Sequence, residues 1–178
     1  MTAQAAIELL KTKRPAAIVD ETNFLDETTL TIDKAHIVEA LKILKQDPSP
    51  GYDTLIDLSG IDYLQPEKMT KVFYLLRNPK TFERLRLVVN VKRNEKLKTI
   101  VSLWRGAYWY ERELFDLFGV EFEGRATTER ILMPDDWYGH PLRKDYALTE
   151  EPVEFKHGVK PKIPSEIIPY VTIQRKKS

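Results

Sequence analysis

The sequence predicts an α+β fold, a small mixed sheet flanked by helices, with a long extended proline-rich C-terminal arm. Three observations carry that expectation. Stretches with apolar residues at strand spacing lie between stretches at helical spacing. The 178 residues suffice for one domain with a real core plus an appendage. Six of the eleven prolines (Pro134, Pro141, Pro152, Pro161, Pro164, Pro169) lie beyond residue 130, a density that forbids long helices and central strands.

Taken in order, Ala3 to Lys13 reads as a short amphipathic helix with Ile7 and Leu10 on one face, ended by Pro15. "AAIVDETNF" and "TTLTI" read as two short strands joined through "LDET". Asp33 is a good N-cap for a helix in which Ile37, Leu41 and Leu44 recur at helical spacing beside Val38. "DPSPG" stops that helix with two prolines and a glycine. "YDTLIDLSGIDY", "KVFYLLRN" and "RLRLVVNVKRN" come next as strands, the last two joined by the hairpin-sized "NPKT". From Glu95 onward the pattern is helical, through "TIVSLW" and then "AYWYERELFDLF", with Gly119 placed as the residue that closes the second helix.

After Gly124 the character changes. The segment keeps Trp137, Tyr138, Tyr146, Phe155, Ile163, Ile167, Ile168, Tyr170 and Val171, more large apolar groups than a disordered linker carries. We therefore divide the chain into an α/β core domain, residues 1–124, and an extended arm, residues 125–178, that hides these side chains against another surface. From Glu151 to Ser178 the arm holds six Lys or Arg and three Glu, which suits an acidic or mixed neighbouring surface, with "QRKKS" loosely ordered at its end.

Composition excludes several functions. A formal net charge of +1 offers no global attraction to nucleic acid or an anionic membrane, and aromatics are not interleaved with a basic patch. With no cysteine, the chain has no disulfide, no thiolate ligand for iron–sulfur or zinc, and no cysteine nucleophile. The longest unbroken apolar run, "VFYLL", is too short to cross a bilayer. Work at a membrane would require another protein to hold the chain there.

Chemistry-bearing residues concentrate in two stretches. The first, "WYERELFDLFGVEFEG", sets Glu111, Arg112, Glu113 and Asp116 on a helix whose apolar face is Tyr110, Leu114, Leu117 and Phe118, with Ala107 one turn before. The four charged residues are expected on the remaining surface, where Arg112 and Asp116 can pair at i,i+4. Glu111 and Glu113 point about 200° apart on such a helix and do not converge on one substrate atom. Glu113 and Asp116 are nearer, but acid/base catalysis also needs a cavity and a second titrating partner. A solvated charged face and an ion-pair clamp are the other two readings.

The second stretch is "LMPDDWYGHPLRKDY". Asp135, Asp136 and His140 could hold a metal, yet zinc and iron sites usually take three protein ligands, and His36 and His157 stand far off. Arg143 and Lys144 are a weak phosphate signal without a glycine-rich loop. A structural reading has Pro134 and Pro141 fixing the backbone, Gly139 permitting a tight turn, and Trp137 and Tyr138 anchoring it by burial. Arg143 and Lys144 then supply cations to the carboxylate-rich helix. The macrodipole disfavours Asp116 near the helix C-terminus, so Arg143 is expected to meet Glu113, Asp116, or an acidic group on a partner chain.

Together the stretches resemble the C-subunit family of proton-translocating NADH-quinone oxidoreductase, respiratory complex I. The family's E-R-E-x-x-D-[LM]-[FY]-G helix end is matched by Glu111, Arg112, Glu113, Asp116, Leu117, Phe118 and Gly119. Its G-H-P-L-R-K-D-[YFW] turn is matched by Gly139, His140, Pro141, Leu142, Arg143, Lys144, Asp145 and Tyr146. The resemblance is strong over residues 104–146 and extends in element order from about residue 16. The link between the motifs departs from it: Arg125 stands where the family usually has histidine, Ala126 where it has proline, and Thr128 and Glu129 in a usually more basic stretch, while Arg130 is kept.

The resemblance implies a structural subunit of the hydrophilic arm, near the quinone module, with no catalytic residue and no flavin, iron–sulfur cluster, metal or quinone ligand of its own. Flavin and clusters would sit in partner subunits. The implied partners are chiefly the D subunit, wrapped by the arm, and neighbouring B- and I-type subunits. The implied location is peripheral, on the cytoplasmic side of the inner membrane. NADH oxidation coupled to quinone reduction and proton translocation would belong to the whole complex. The alternatives are the equivalent subunit of a membrane-bound hydrogenase or ferredoxin-dependent relative, or a stand-alone acid/base enzyme using Glu113, Asp116 and His140.

Overall fold

A computed structural model describes residues 3–25, 27–125 and 129–146 of the chain. The first helix, α1 (Ala3–Lys13), buries Ala6, Ile7 and Leu10, the face that its periodicity marks. Strands β1 (Ile18–Phe24) and β2 (Glu27–Ile32) form an antiparallel hairpin. Asp33 caps the next turn: its Oδ1 accepts the Ala35 N–H at 2.8 Å, and a 3-10 turn over Lys34–His36 leads into α2 (Ile37–Gln46). α2 buries Ile37, Ala40, Leu41 and Leu44 and packs on α1.

Strands β3 (Thr54–Tyr63), β4 (Met69–Arg77) and β5 (Arg84–Lys92) complete a five-stranded sheet of order β1-β2-β5-β4-β3. The β2–β5 pair is parallel and the other pairs are antiparallel, so the sheet is mixed, as expected. Period-two alternation decides its two faces. Thr70, Val72, Tyr74 and Leu76 of β4 lie opposite Val91, Val89, Leu87 and Leu85 of β5, and the apolar members of these pairs share one core with residues of α1 and α2. Lys71, Phe73 and Leu75, on the other face, remain half-buried.

The helix expected from Glu95 onward does not begin there. Lys96–Lys98 is a short strand, β6, with Leu97 buried between two exposed lysines. α3 starts only at Ala107 and runs to Phe118. Beyond it Glu121–Glu123 forms β7, which pairs in parallel with β6. Tertiary partners override the helical pattern here: the Thr99 N–H goes to the Glu123 carbonyl at 2.9 Å and the Ile100 N–H to a Glu111 carboxylate oxygen at 2.8 Å. The β6–β7 ladder thereby brackets α3 at both ends.

α3 packs on β3 at Gly60. A Cβ there would lie 2.9 Å from Leu114 Cδ2 and 3.5 Å from Phe118 Cδ2, so helix and strand approach closely enough that a side chain at that position would have to displace Leu114. The arm beyond residue 146, with its "QRKKS" end, lies outside the described residues.

Candidate functional site

The two motif stretches meet. Residues 129–146 fold back over the C-terminal end of α3, and Arg112, Asp116, His140 and Arg143 of the two stretches are used in that contact.

Asp116 is the centre. The sequence reading put it on the helix surface, but its side chain is fully buried. Its Oδ2 accepts the N–H groups of Ile131, Leu132 and Met133 at 3.1, 2.8 and 2.9 Å. Arg130 Nη1 donates to Oδ1 at 2.6 Å. The other Arg130 nitrogen, Nη2, donates to the carbonyls of Trp137 and Gly139 at 2.7 and 3.1 Å, fastening the downstream turn as well. Burial pushes the Asp116 carboxyl up, but the three N–H donors and Arg130 outweigh it and hold the group below the usual carboxylate range. The unfavourable dipole position is thus offset by donors, and the expected Arg112–Asp116 pair does not form. Arg112 instead lies over the rings of Trp109 and Tyr108 and donates to the Glu129 and Arg130 carbonyls.

The last carbonyls of α3 are fully used. Gly119 sits at φ 69°, and its N–H returns to the Phe115 carbonyl at 2.9 Å, the closure its position predicts. The Val120 N–H reaches the Leu114 carbonyl at 3.3 Å. His140 Nδ1 donates to the Asp116 carbonyl at 2.9 Å, and the Leu142 N–H to that of Leu117 at 3.0 Å. Arg143 Nε and Nη2 donate to the Phe118 and Gly119 carbonyls at 2.6 and 3.1 Å. Helix ends normally leave these acceptors to water; here the downstream turn takes them. A Cβ on Gly119 would stand 2.1 Å from Arg143 Nη2, so the cap closes only over glycine.

Several expectations are corrected by this geometry. Arg143 meets the helix end, but through backbone carbonyls and not through Glu113 or Asp116. The guanidinium serves the negative end of the helix dipole directly. Lys144 supplies no cation to the helix; its side chain is exposed, and its backbone N–H is what binds. Tyr138 is 71% exposed and does not anchor the turn, whereas Trp137 is partly buried. Gly139 lies in the turn at φ 84° against the Tyr146 ring, a conformation that suits glycine. Asp135 and Asp136 are exposed and His140 is turned to α3. No three metal-ligating side chains converge among the described residues. Glu113 stays half-buried on the helix flank.

Glu111 is the second buried carboxylate, also expected on the surface. It sits four residues after Ala107 and three before Leu114, inside the buried stripe. Thr99 Oγ1 donates to its Oε2 at 2.8 Å and the Ile100 N–H to its Oε1 at 2.8 Å. Burial raises its carboxyl above the usual range, and those donors with the Arg125 charge only partly offset it. A carboxyl raised in the folded state stabilises fully below its unfolded value, and that contribution is lost as pH rises through the folded value. Glu111→Gln is therefore expected to flatten the decline in stability above pH ~4.5 that this group causes. Urea midpoints of both chains between pH ~4.5 and ~8 measure it.

A second anchor was missed by sequence reading. Asp62 of β3 is buried and receives Arg93 Nη1 and Nη2 at 2.6 and 2.7 Å, Thr70 Oγ1 at 2.9 Å and the Lys144 N–H at 2.8 Å. Burial raises its carboxyl, and Arg93, Lys144 and Thr70 together hold it below the usual range. Asp145 takes Lys68 at 3.1 Å and approaches Arg93 at 3.6 Å. A signal existed: Asp62 shares the inward phase of Leu58 and Gly60 on β3, where an unpaired charge is not tolerated.

The site is thus a turn locked at two points, to the end of α3 and to the edge of the sheet. The profile of the family described as "Respiratory-chain NADH dehydrogenase, 30 Kd subunit" matches residues 30–152, which contain both anchors. The chain belongs to this family. Among relatives of the family, the C subunit of NADH-quinone oxidoreductase from Roseiflexus sp. (strain RS-1) is 39% identical over 150 residues, 84% of this chain and 86% of that one. The C subunit from Geobacter sulfurreducens is 39% identical over 145 residues, covering 80% and 88%. In solved structures, a chain of the membrane-bound sulfane sulfur reductase, an archaeal respiratory membrane complex, superposes with a TM-score of 0.71 at 19% identity, covering 93% of this chain and 99% of that one. That likeness concerns the fold. Membership makes the chain part of an oxidoreductase complex, and no described helix is long and apolar enough to cross a membrane.

Proposed function

We propose that this chain is a structural, cofactor-free subunit of the hydrophilic arm of an NADH-quinone oxidoreductase, supporting the quinone module while partner subunits carry flavin and iron–sulfur clusters. One observation carries the reading. Asp62, Asp116, Arg130, His140 and Arg143 are consumed in holding the turn to α3 and β3. Such a site presents a rigid surface, not a reactive group. The arm that follows in sequence is expected to reach D-type and neighbouring B- and I-type subunits on the cytoplasmic side of the membrane. The relatives, C subunits of NADH-quinone oxidoreductase by name, favour that complex over a hydrogenase or ferredoxin-dependent one.

Co-purification tests this. A tagged chain is expected to bring down a cluster-bearing, membrane-attached assembly that oxidises NADH. Turnover by the isolated chain, lost with Glu113→Gln, would refute the reading. Arg143→Ala removes two charged hydrogen bonds to the helix end and is expected to cost about 2 kcal/mol and to weaken assembly. Unchanged assembly together with unchanged exchange protection in residues 108–118 would count against that role.

A further inference from the structure

The tip of the β1–β2 hairpin presents two adjacent apolar side chains to solvent. Phe24 and Glu27 are paired, which leaves Leu25 at the first of the two connecting positions. Two-residue hairpin loops favour Asn, Asp or Gly there because φ is positive. Leu25 takes φ 45° nonetheless, in a region that ordinary side chains disfavour. Leu25 is 81% exposed and Phe24 beside it 72%, so neither is repaid by contact within the described chain. β1 is also the outermost strand of its sheet.

Within the hairpin's own sequence the charge is one-sided, although Arg86 of β5 lies beside Glu27. From Ile18 to Asp33 the sequence holds five carboxylates, Asp20, Glu21, Asp26, Glu27 and Asp33, and no lysine or arginine. Glu21 and Glu27 are paired with Lys11 and Arg86, and Asp33 caps the turn after β2. Asp20 is exposed on the strand face that carries Thr22 and Phe24. An anionic lipid surface would repel this tip, whereas a protein pocket rimmed by basic side chains complements it.

We propose that the β1–β2 hairpin is a docking finger that inserts Phe24 and Leu25 into an apolar pocket, rimmed by Lys or Arg, on a neighbouring subunit of the same complex. The tip lies before the family-matched residues 30–152, so this contact is separate from the turn described above. The inference rests on the reading of the chain as an assembly subunit, and its test separates the two. The full chain with Phe24→p-benzoylphenylalanine is purified in its complex and irradiated, and the crosslinked peptides are sequenced. The expected product joins position 24 to one subunit of that complex, in a peptide carrying Lys or Arg beside the attachment point. Adding Asp20→Lys is expected to lower its yield about fivefold. Phe24→Ser is expected to leave the melting temperature of the isolated chain unchanged and to lower its retention in the complex about tenfold. Co-purification without a crosslink, or a crosslink to lipid or to a second copy of the chain, overturns the finger and leaves the subunit reading standing. Failure to co-purify at all overturns both.

Discussion

Asp116→Ala is expected to destabilise the chain by about 3–5 kcal/mol, the cost of removing one partner from a buried, hydrogen-bonded ion pair. The substitution leaves three backbone N–H groups and the Arg130 guanidinium without their acceptor. For a chain of this size that corresponds to a fall of roughly 10 °C in melting temperature. The loss should be local first: exchange protection disappears over residues 130–140 before α3 itself opens. The sign with pH follows from the lowered carboxyl. Its stabilisation is present above the unfolded value and is lost as pH falls through the folded one. Asp116→Asn should therefore remove part of the acid limb of the stability curve, measured by urea denaturation below pH ~5. A melting curve and acid limb matching those of the parent chain would show that the Asp116 contacts contribute nothing to stability.

Asp62→Ala is expected to cost a similar ~3–5 kcal/mol, because Arg93 keeps its charge in a mostly buried position. The Lys144 N–H also loses its acceptor, so residues 144–146 should exchange faster while residues 116–119 keep their protection. Combining Asp62→Leu with Arg93→Leu should recover part of the loss, since the unpaired buried charge is gone. A double-mutant cycle on chemical denaturation measures the coupling. Additive losses would mean that Arg93 and Asp62 do not act as a pair. Asp62 and Asp116 anchor the same turn from different elements, so weakening either should reduce assembly more than it reduces secondary structure.

Much of the architecture was legible in the chain. The three helices, the five strands of the main sheet, the Asp33 cap and the Gly119 closure rest on local rules: apolar period, capping chemistry and backbone freedom. β6 and β7 were not legible, because three residues carry little period and their pairing joins segments separated by α3. The two motifs identified the family, and their internal use did not follow from them. A helical wheel places a carboxylate relative to its own helix and says nothing of a segment that folds over it. Asp116 therefore read as surface, and Arg143 was assigned to a carboxylate when it binds carbonyls.

The sequence by itself determined the fold class, the helix that carries the charges, the glycine that ends it, and the family to which the chain belongs. Tertiary structure alone decided which charges are buried and what each one holds: Glu111 to Thr99 and Ile100, Asp116 to Arg130 and three N–H groups, Asp62 to Arg93 and Lys144. The physical reason is range. Periodicity and capping act within a few residues, while a buried carboxylate is stabilised only by donors that the fold brings from far along the chain.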